Sequence, residues 1–165
     1  MITILCGRVA AGKTTLAARL RRETGALVLS CDDMMLTVFD GCLGSAHDAT
    51  AMKCLRFLFS LAAQAAENGQ DAVLDYGFWL RAERDAARAY FAARGLPCRL
   101  VEVTLPDERR RARLNERNQT LRHAEGRVYL IEGELLDRMD AKYQMPAPEE
   151  HALRFDNTLE RTNLP

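Results

Sequence analysis

The chain has very little lysine. Of its 165 residues, 23 are Lys or Arg, and only Lys13, Lys53 and Lys142 are lysines, so 20 of the cations are arginines. Asp and Glu also number 23, and the formal net charge is zero. This balance argues against a protein that binds nucleic acid through overall positive charge, because binding to the nucleic-acid backbone is electrostatic. Arg suits bidentate phosphate recognition better than Lys, although a GC-rich gene would produce the same bias.

The chain also lacks a long apolar run and a paired cysteine motif. Its longest apolar stretch, around residues 55–66, is interrupted by Arg56, Ser60 and Gln64, so we expect no membrane span. The first residues lack the basic and apolar regions of a signal peptide. Five cysteines without CxxC spacing indicate reduced structural thiols, with Cys31 a candidate for reactivity because acidic residues follow it. These absences predict a cytoplasmic protein without a membrane partner.

Short apolar segments alternate with helical patterns along the chain. Strands are predicted at 2–6, 26–30, 72–75, 99–105 and 152–155, and helices at 13–23, 34–40, 48–68, 81–94, 107–118 and 128–142. This alternation is typical of a parallel sheet with helices on both faces. No internal repeat or linker interrupts the pattern. We therefore predict a single three-layer α/β domain over residues 1–165.

Residues 7–14, GRVAAGKT, match the phosphate-binding pattern G-x-x-x-x-G-K-[ST] in full, between a predicted strand and a predicted helix. Gly7 and Gly12 allow a tight turn whose N–H groups face phosphate oxygens. Lys13 can reach the β- and γ-phosphates, and the Thr14 hydroxyl can coordinate Mg²⁺. The predicted cofactors are ATP and Mg²⁺. The predicted nucleotide-binding residues are Gly7, Ala10, Ala11, Gly12, Lys13, Thr14 and Thr15.

Carboxylates follow two of the predicted strands. Asp75 ends the strand at 72–75, where it could hold Mg²⁺ together with Thr14 or simply cap the next helix. Asp32 and Asp33 follow the strand at 26–30. Ligands of open α/β sheets bind at the carboxyl ends of the strands, so these groups should converge on the phosphate loop. We favour Asp32 as the catalytic base for a substrate hydroxyl and Asp33 as a helix N-cap beside the substrate, with the reverse assignment open.

Arginines are concentrated in residues 107–127, where seven Arg oppose four acids for a local charge of +3, whereas residues 132–160 carry −5 from eight acids and three cations. Arg113 and Arg117 share one helix face. One interpretation is a lid over residues 107–130, whose Arg113 and Arg117 stabilise the charge of the transition state. The alternative is a solvated helix with local ion pairs. Arg110 and Arg111 are expected at the surface.

Three further residues follow Asp75 closely. Arg81 and Arg84 are one turn apart at the start of a predicted helix, where they could face the acceptor substrate or its phosphate. Trp79 is the only tryptophan and could line the same pocket or belong to the core. We predict Asp33, Trp79, Arg81 and Arg84 as substrate residues.

Taken together, these motifs resemble the small P-loop kinases that include chloramphenicol phosphotransferase and the zeta toxins, and bacterial proteins labelled AAA-family ATPases. The stretches that carry the resemblance are GRVAAGKTTLAARL at 7–20, LSCDD at 29–33, VLDYGFWLRAERD at 73–85 and RRARLNERN at 110–118. The resemblance implies a five-stranded sheet of order 2-3-1-4-5 and transfer of the ATP γ-phosphate to a hydroxyl. It also implies Asp32 as the base and Arg113 and Arg117 on the lid.

Three functions are consistent with these observations. The first is an ATP-dependent kinase of a small molecule such as an antibiotic, nucleoside or sugar derivative, acting as a monomer or homodimer. The second is a polynucleotide end kinase, against which the zero net charge argues. The third is a non-catalytic ATP-binding switch protein. The chain has no N-K-x-D motif, which argues against a GTPase.

Overall fold

A computed structural model describes residues 1–39, 43–122 and 129–158. Strands and helices alternate in these residues, as the sequence predicts. The strands are β1 (Ile2–Cys6), β2 (Leu27–Ser30), β3 (Ala72–Asp75), β4 (Cys98–Thr104) and β5 (Leu153–Asp156). The helices are α1 (Lys13–Thr24), α2 (Cys31–Phe39), α3 (His47–Glu67), α4 (Arg81–Ala92), α5 (Asp107–Arg122) and α6 (Gly133–Lys142), with short 3₁₀ helices at Gly44–Ala46 and Pro148–Glu150.

The five strands form one parallel sheet in the order β2-β3-β1-β4-β5. This confirms the predicted sheet and its order. In the register of the sheet, Asp75 of β3 is level with Ser30 of β2 and with Leu5 of β1. The segments that leave β1, β2 and β3 therefore start from the same edge. This edge brings the phosphate loop, Asp75 and the start of α2 together.

Apolar side chains cover both faces of the sheet, which produces the three layers. On one face, Ile4 of β1 packs with Leu55 and Phe59 of α3 and with Phe91 of α4. On the other face, Leu5 packs in a second cluster with side chains of α1. A third and smaller cluster joins the phosphate loop to α5 and α6 through Val9, Leu114, Ile131 and Leu136, with Trp79 against it. The third cluster therefore attaches α5 and α6 to the loop that follows β1.

Several helix boundaries differ from the sequence prediction. Helix α2 begins at Cys31 rather than 34, because the Ser30 Oγ accepts a hydrogen bond from the Asp33 N–H at 3.1 Å and so caps the helix. The prediction that Asp33 is the N-cap is therefore wrong. Helix α5 continues to Arg122, and α6 begins at Gly133 rather than 128. These differences do not change the order of the elements.

A buried ion pair connects α4 to the 3₁₀ helix at Pro148–Glu150. The Arg84 side chain is fully buried, and its Nε and Nη2 donate to the two carboxylate oxygens of Glu150 at 2.7 and 2.8 Å. The same guanidinium donates to the carbonyl oxygens of Phe78 and Trp79. Bidentate charge-assisted bonds of this kind compensate the desolvation of both charges. The pair thus fastens the segment before β5 onto α4 and the β3–α4 connection.

Glu150→Gln is expected to destabilise the fold by about 3 kcal/mol, because it leaves the Arg84 guanidinium buried without a compensating charge. Chemical denaturation followed by circular dichroism measures the difference. The matched control is Glu149→Gln, which removes the neighbouring carboxylate from its exposed pair with Arg81. Exposed pairs contribute little, so the control should unfold like the wild type. Equal stabilities of both variants would contradict a structural role for the buried pair.

The same pair makes stability depend on pH. The hydrogen bonds from Arg84 lower the pKa of Glu150 from 4.5 to about 2. A carboxyl group whose pKa is lowered by folding stabilises the fold fully above its unfolded pKa, and this contribution is lost as the pH falls through the folded pKa. The difference in stability between wild type and Glu150→Gln should therefore shrink between pH 4.5 and 2. Denaturation at several pH values would test this, and a constant difference would contradict it.

Candidate functional site

The phosphate loop between β1 and α1 depends on two glycines. Gly7 has φ +145°, and a Cβ there would collide with the carbonyl oxygen of Val103 in β4. Gly12 has φ +103°, and a Cβ there would collide with the Asn157 side chain and lie 2.8 Å from Arg113 Nη1. Both positions combine a left-handed backbone with a close neighbour, so only glycine fits. The two glycines of the sequence motif are therefore required by the close contacts of the loop in this fold.

The N-terminus of α1 is open to an anion. The helix begins at Lys13 without a side-chain cap and without an acidic residue in its first turn. Thr14 and Thr15 are exposed there. Ala10 precedes the helix with φ +61°, a conformation that non-glycine residues rarely adopt. The Ala11 N–H donates to the Arg8 carbonyl at 3.3 Å. The uncapped helix dipole favours a phosphate at this position.

Lys13 lies between the loop and the acidic residues. Its Nζ donates to the carbonyl oxygens of Gly7 and Arg8, both at 2.9 Å. Burial lowers the pKa of Lys13, and the charges of Asp75 and Asp32 counteract this effect. The ammonium group is therefore held at the loop by two backbone acceptors and by the field of two carboxylates. A phosphate would offer it stronger, charged acceptors.

Asp75 and Thr14 form an oxygen-rich pair at the carboxyl end of β3. The Asp75 carboxylate is buried and accepts a hydrogen bond from the Thr14 hydroxyl. Burial raises the pKa of Asp75, whereas the hydrogen bond from Thr14 and the charge of Lys13 lower it. A hydroxyl and a carboxylate suit Mg²⁺, which keeps water and phosphate oxygens as its other ligands. No group of three His, Cys, Asp or Glu suited to a metal occurs in the described residues. Asp75 and Thr14 supply two oxygen ligands of the kind that Mg²⁺ takes from a protein when water and phosphate complete its coordination.

Asp32 lies in the first turn of α2, at the sheet edge from which the phosphate loop also starts, and the space between Asp32 and this loop is the cleft of the candidate site. Asp32 is exposed as a residue, and desolvation by the surrounding protein raises the pKa of its carboxyl group. The charges of Lys13 and Arg117 oppose this increase. Asp33 is also exposed, and its charge adds to the increase at Asp32. Asp32 is thus a carboxylate between cations, at a position that a hydroxyl-bearing molecule can reach.

Helix α5 brings two arginines to this cleft. Arg113 Nη1 lies against Gly12, as described above. Arg117 is half-buried, and its Nε and Nη2 are buried without a hydrogen-bond partner among the described residues. Desolvation lowers the pKa of Arg117, and the charge of Asp32 counteracts it. Buried donors that have no acceptor are costly, so an anion in the cleft would relieve this cost.

The start of α5 is anchored to the phosphate loop. Arg110 is buried, contrary to the prediction of a surface position, and donates to the Val9 carbonyl at 3.3 Å and to Asp140 at 2.5 Å. Arg8 donates to the Asp107 carboxylate at 3.1 Å. Arg111 is exposed, as predicted. The predicted lid of 107–130 includes residues 123–128, which lie outside the described residues. Lid closure stays a prediction.

The predicted acceptor residues are only partly placed at the cleft. Arg84 is wrong as a substrate residue, because its buried guanidinium is engaged by Glu150 and by two carbonyl groups. Arg81 is exposed and pairs with Glu149 at 2.6 Å. Trp79 is half-buried and donates from Nε1 to the Gly7 carbonyl at 3.1 Å. Trp79 is therefore attached to the phosphate loop itself.

Two contacts were missed in the sequence. Asn157 follows β5 and donates to the Ala11 carbonyl at 2.8 Å. Its position at the carboxyl end of a strand was a usable signal. His47 begins α3, and its Nδ1 is buried without a hydrogen-bond partner in the described part of the chain. The sequence carries no signal for His47, because only the fold brings it near Asp32.

Cys31 differs from its sequence prediction as well. It is buried, its thiol approaches the Ala51 carbonyl at 3.6 Å, and burial raises its pKa to about 12. A thiol with so high a pKa is not a reactive nucleophile. Cys6, Cys54 and Cys98 are free thiols too, and Cys42 lies outside the described residues. The interpretation of Cys31 as a candidate for reactivity is therefore wrong.

Residues 2–146 match the family AAA_33, an AAA domain, and the chain belongs to this family. A search of curated protein sequences finds no match. None of the described helices is long and apolar enough to cross a membrane.

Several solved structures share the fold. Kti12 of Chaetomium thermophilum, in complex with ADP-AlF3, has a TM-score of 0.73 and 17% identity over 95% of this chain and 89% of that chain. APS kinase of Mycobacterium tuberculosis, in complex with AMPPNP and APS, has a TM-score of 0.66 and 21% identity over 98% and 89%. A gluconokinase of Sinorhizobium meliloti has a TM-score of 0.62 and 14% identity over 93% and 81%. The structural neighbours include P-loop kinases, and their likeness establishes the fold.

Arg117→Met should raise the pKa of Asp32 further, because it removes a positive charge that opposes desolvation of that carboxylate. Carboxyl ¹³C NMR titration, with the Asp32 signal assigned by its loss in Asp32→Asn, measures the change. The matched control is Arg113→Met on the same helix, since Arg113 lies against Gly12 instead. The control should leave the Asp32 titration nearly unchanged. An Asp32 pKa that is unaffected by Arg117→Met would contradict the proposed proximity.

Proposed function

We propose that the protein is an ATP-dependent phosphotransferase that moves the γ-phosphate of ATP to a hydroxyl group of a small molecule. The observation that carries this proposal is that Asp32 begins α2 at the sheet edge from which the phosphate loop also starts, near enough to Lys13 and Arg117 for their charges to act on its carboxylate. A carboxylate placed between cations at the phosphate site suits a base that activates a hydroxyl. A protein that only binds nucleotide does not need such a base.

On this proposal the phosphate loop and α1 hold the triphosphate. The backbone around Gly7, Ala10, Ala11 and Gly12, with the first turn of α1 at Thr15, binds the phosphates. Lys13 leaves its carbonyl acceptors and binds the phosphate oxygens. Thr14 and Asp75 hold Mg²⁺, which when bound neutralises negative charge on the phosphates.

The acceptor binds on the side of α2. Asp32 accepts the proton of the acceptor hydroxyl as its oxygen attacks the γ-phosphorus and the bond from that phosphorus to the bridging oxygen of ADP breaks. Arg117, whose buried donors have no acceptor among the described residues, and Arg113 stabilise the charge on the transferring group. Asp33, Trp79 and Arg81 lie around the acceptor. Closure of the segment 107–130 over the triphosphate would exclude water.

Three further arguments support a small acceptor. The motifs resemble those of the kinases that include chloramphenicol phosphotransferase and the zeta toxins. Two structural neighbours, a gluconokinase and an APS kinase, carry the names of small substrates. The net charge of zero disfavours polynucleotide acceptors. We place the protein in the cytoplasm as a monomer or homodimer.

A nucleotide-dependent switch is the second candidate function. It is supported by the likeness to Kti12, which was crystallised with ADP-AlF3 and whose name identifies no acceptor. The switch hypothesis expects tight ATP binding and no acceptor-dependent turnover. A polynucleotide end kinase would instead phosphorylate oligonucleotides in a reaction that weakens steeply with salt.

Asp32→Asn is expected to retain ATP affinity and to lower acceptor phosphorylation by roughly 100-fold or more, because the carboxamide cannot accept a proton. Asp33→Asn is the matched variant, one residue away on the same helix, and should reduce turnover far less. Calorimetry measures ATP binding, and radiolabelled phosphate transfer measures turnover. If Asp33→Asn loses turnover while Asp32→Asn keeps it, the base is Asp33.

The acceptor class is tested with wild-type protein. ATP consumption is measured against hydroxyl-bearing antibiotics, nucleosides and sugars, and against oligonucleotides with a free 5′-hydroxyl, at two salt concentrations. Turnover with a small molecule at both salt concentrations would support the proposal. Turnover with oligonucleotides alone would make the protein an end kinase. ATP binding without turnover on any acceptor would favour the switch.

A further inference from the structure

The backbone of Gly7 is held on both sides by the segment 77–79. The Gly7 N–H donates to the Gly77 carbonyl at 3.3 Å. The Gly7 carbonyl accepts a hydrogen bond from Trp79 Nε1 at 3.1 Å. The first residue of the phosphate loop is thus connected through both of its polar groups to the β3–α4 connection. From its sequence position, Trp79 is predicted only to line the acceptor pocket or to belong to the core.

The shape of the segment 77–79 is adapted to this contact. A Cβ on Gly77 would lie 2.6 Å from both Cε2 and Nε1 of Trp79, so the indole ring rests directly on the glycine. Phe78 has φ +43° and is fully buried, where it stacks on Phe59 with 6.3 Å between ring centroids. A bulky side chain in this left-handed conformation is held by its surroundings. The local backbone therefore aims the Trp79 ring at the loop.

Trp79 is also fixed from behind. Its carbonyl accepts hydrogen bonds from the Gln144 N–H at 2.8 Å and from Arg84 Nη1 at 3.3 Å. Arg84 is in turn held by the buried carboxylate of Glu150. The indole packs against the cluster of Val9, Leu114, Ile131 and Leu136. These contacts make Trp79 a rigid hydrogen-bond donor.

Two donors share the Gly7 carbonyl, Trp79 Nε1 and Lys13 Nζ. When Lys13 turns to a phosphate, it leaves the carbonyls of Gly7 and Arg8. Leaving a buried carbonyl without a hydrogen-bond donor costs free energy. In addition, the negative end of the carbonyl dipole is repelled by a phosphate if it turns toward it. Gly7 is buried, so water does not readily replace the lost donor. Trp79 is the donor that can stay.

We propose that Trp79 is a positioning residue of the nucleotide site, whose indole N–H keeps the Gly7 carbonyl satisfied and turned away from the phosphates when Lys13 moves to them. This inference rests on the ATP binding in the proposed function and is independent of the acceptor. Trp79 acts through the loop and needs no contact with the nucleotide. Each carbonyl then keeps one donor when Lys13 leaves, because the Ala11 N–H donates to the Arg8 carbonyl at 3.3 Å and Trp79 Nε1 donates to the Gly7 carbonyl.

The single tryptophan of the chain allows a test that changes only one atom group. Biosynthetic replacement of tryptophan by β-(3-benzothienyl)alanine substitutes sulfur for the indole N–H at position 79 alone. Replacement by 5-fluorotryptophan keeps the N–H and is the matched control. The dissociation constant of ATP with Mg²⁺ is measured by calorimetry for both proteins and for the wild type. The melting temperature without nucleotide is measured in parallel.

We expect the benzothienyl protein to bind ATP about threefold to tenfold more weakly, the range that loss of one neutral hydrogen bond produces. Its melting temperature without nucleotide should stay near that of the fluorinated control, because Lys13 still satisfies the Gly7 carbonyl in that state. Equal ATP affinities of the two proteins would overturn the inference. Weaker binding with an equivalent loss of stability in the absence of nucleotide would also overturn it, since Trp79 would then serve the fold only. Failure of the wild type itself to bind ATP would overturn the proposed function.

Discussion

The close approach of the phosphate loop to strand β4 is the contact on which the rest of the site depends. Gly7 meets the backbone of Val103 at a distance that leaves no room for a Cβ. This contact sets the direction in which the chain leaves β1 and therefore where α1 begins. Lys13, Thr14 and the open helix terminus take their positions from that start. The neighbouring strands then supply Asp32 and Asp75 from the same edge, because all five strands are parallel.

The formal net charge of zero conceals an uneven distribution of positive and negative side chains in the molecule. Lys13, Arg113 and Arg117 bring positive charge to the candidate site, where the carboxylates of Asp32 and Asp75 act on Lys13. Elsewhere arginine serves the fold: Arg84 and Arg110 are among the largest fully buried side chains, and each is engaged by carboxylates and backbone carbonyls. The scarcity of lysine agrees with this use, since a planar guanidinium satisfies several acceptors at once. Lys13 is the lysine of the phosphate loop, and its ammonium group donates to the carbonyls of Gly7 and Arg8.

The sequence was sufficient for features that depend on local pattern. The alternation of strands and helices predicted the parallel sheet, and the glycine motif predicted the phosphate loop. The positions after the strand ends predicted that Asp32 and Asp75 lie near this loop. The local sequence pattern did not predict the burial of a side chain whose partner lies far along the chain. Arg84 and Arg110 have the same local surroundings as exposed arginines, and their partners Glu150 and Asp140 are 66 and 30 residues away. His47 could not be assigned for the same reason. The cap of α2 was misjudged because Ser30 and Asp33 are both good capping residues, and only the geometry distinguishes them.

The buried pair of Arg84 and Glu150 makes residues near the end of the described chain part of the folded unit. The family match stops at residue 146, four residues before Glu150 and before the whole of β5. A chain cut at that boundary would keep the entire phosphate motif, both strand-end aspartates and all of α5. It would nevertheless bury an arginine with no counterion, expose the edge of β4, and lose Asn157 from the loop. The residues that match the family therefore leave out several contacts that hold this fold together, among them the Glu150 carboxylate on Arg84 and the Asn157 side chain on the Ala11 carbonyl.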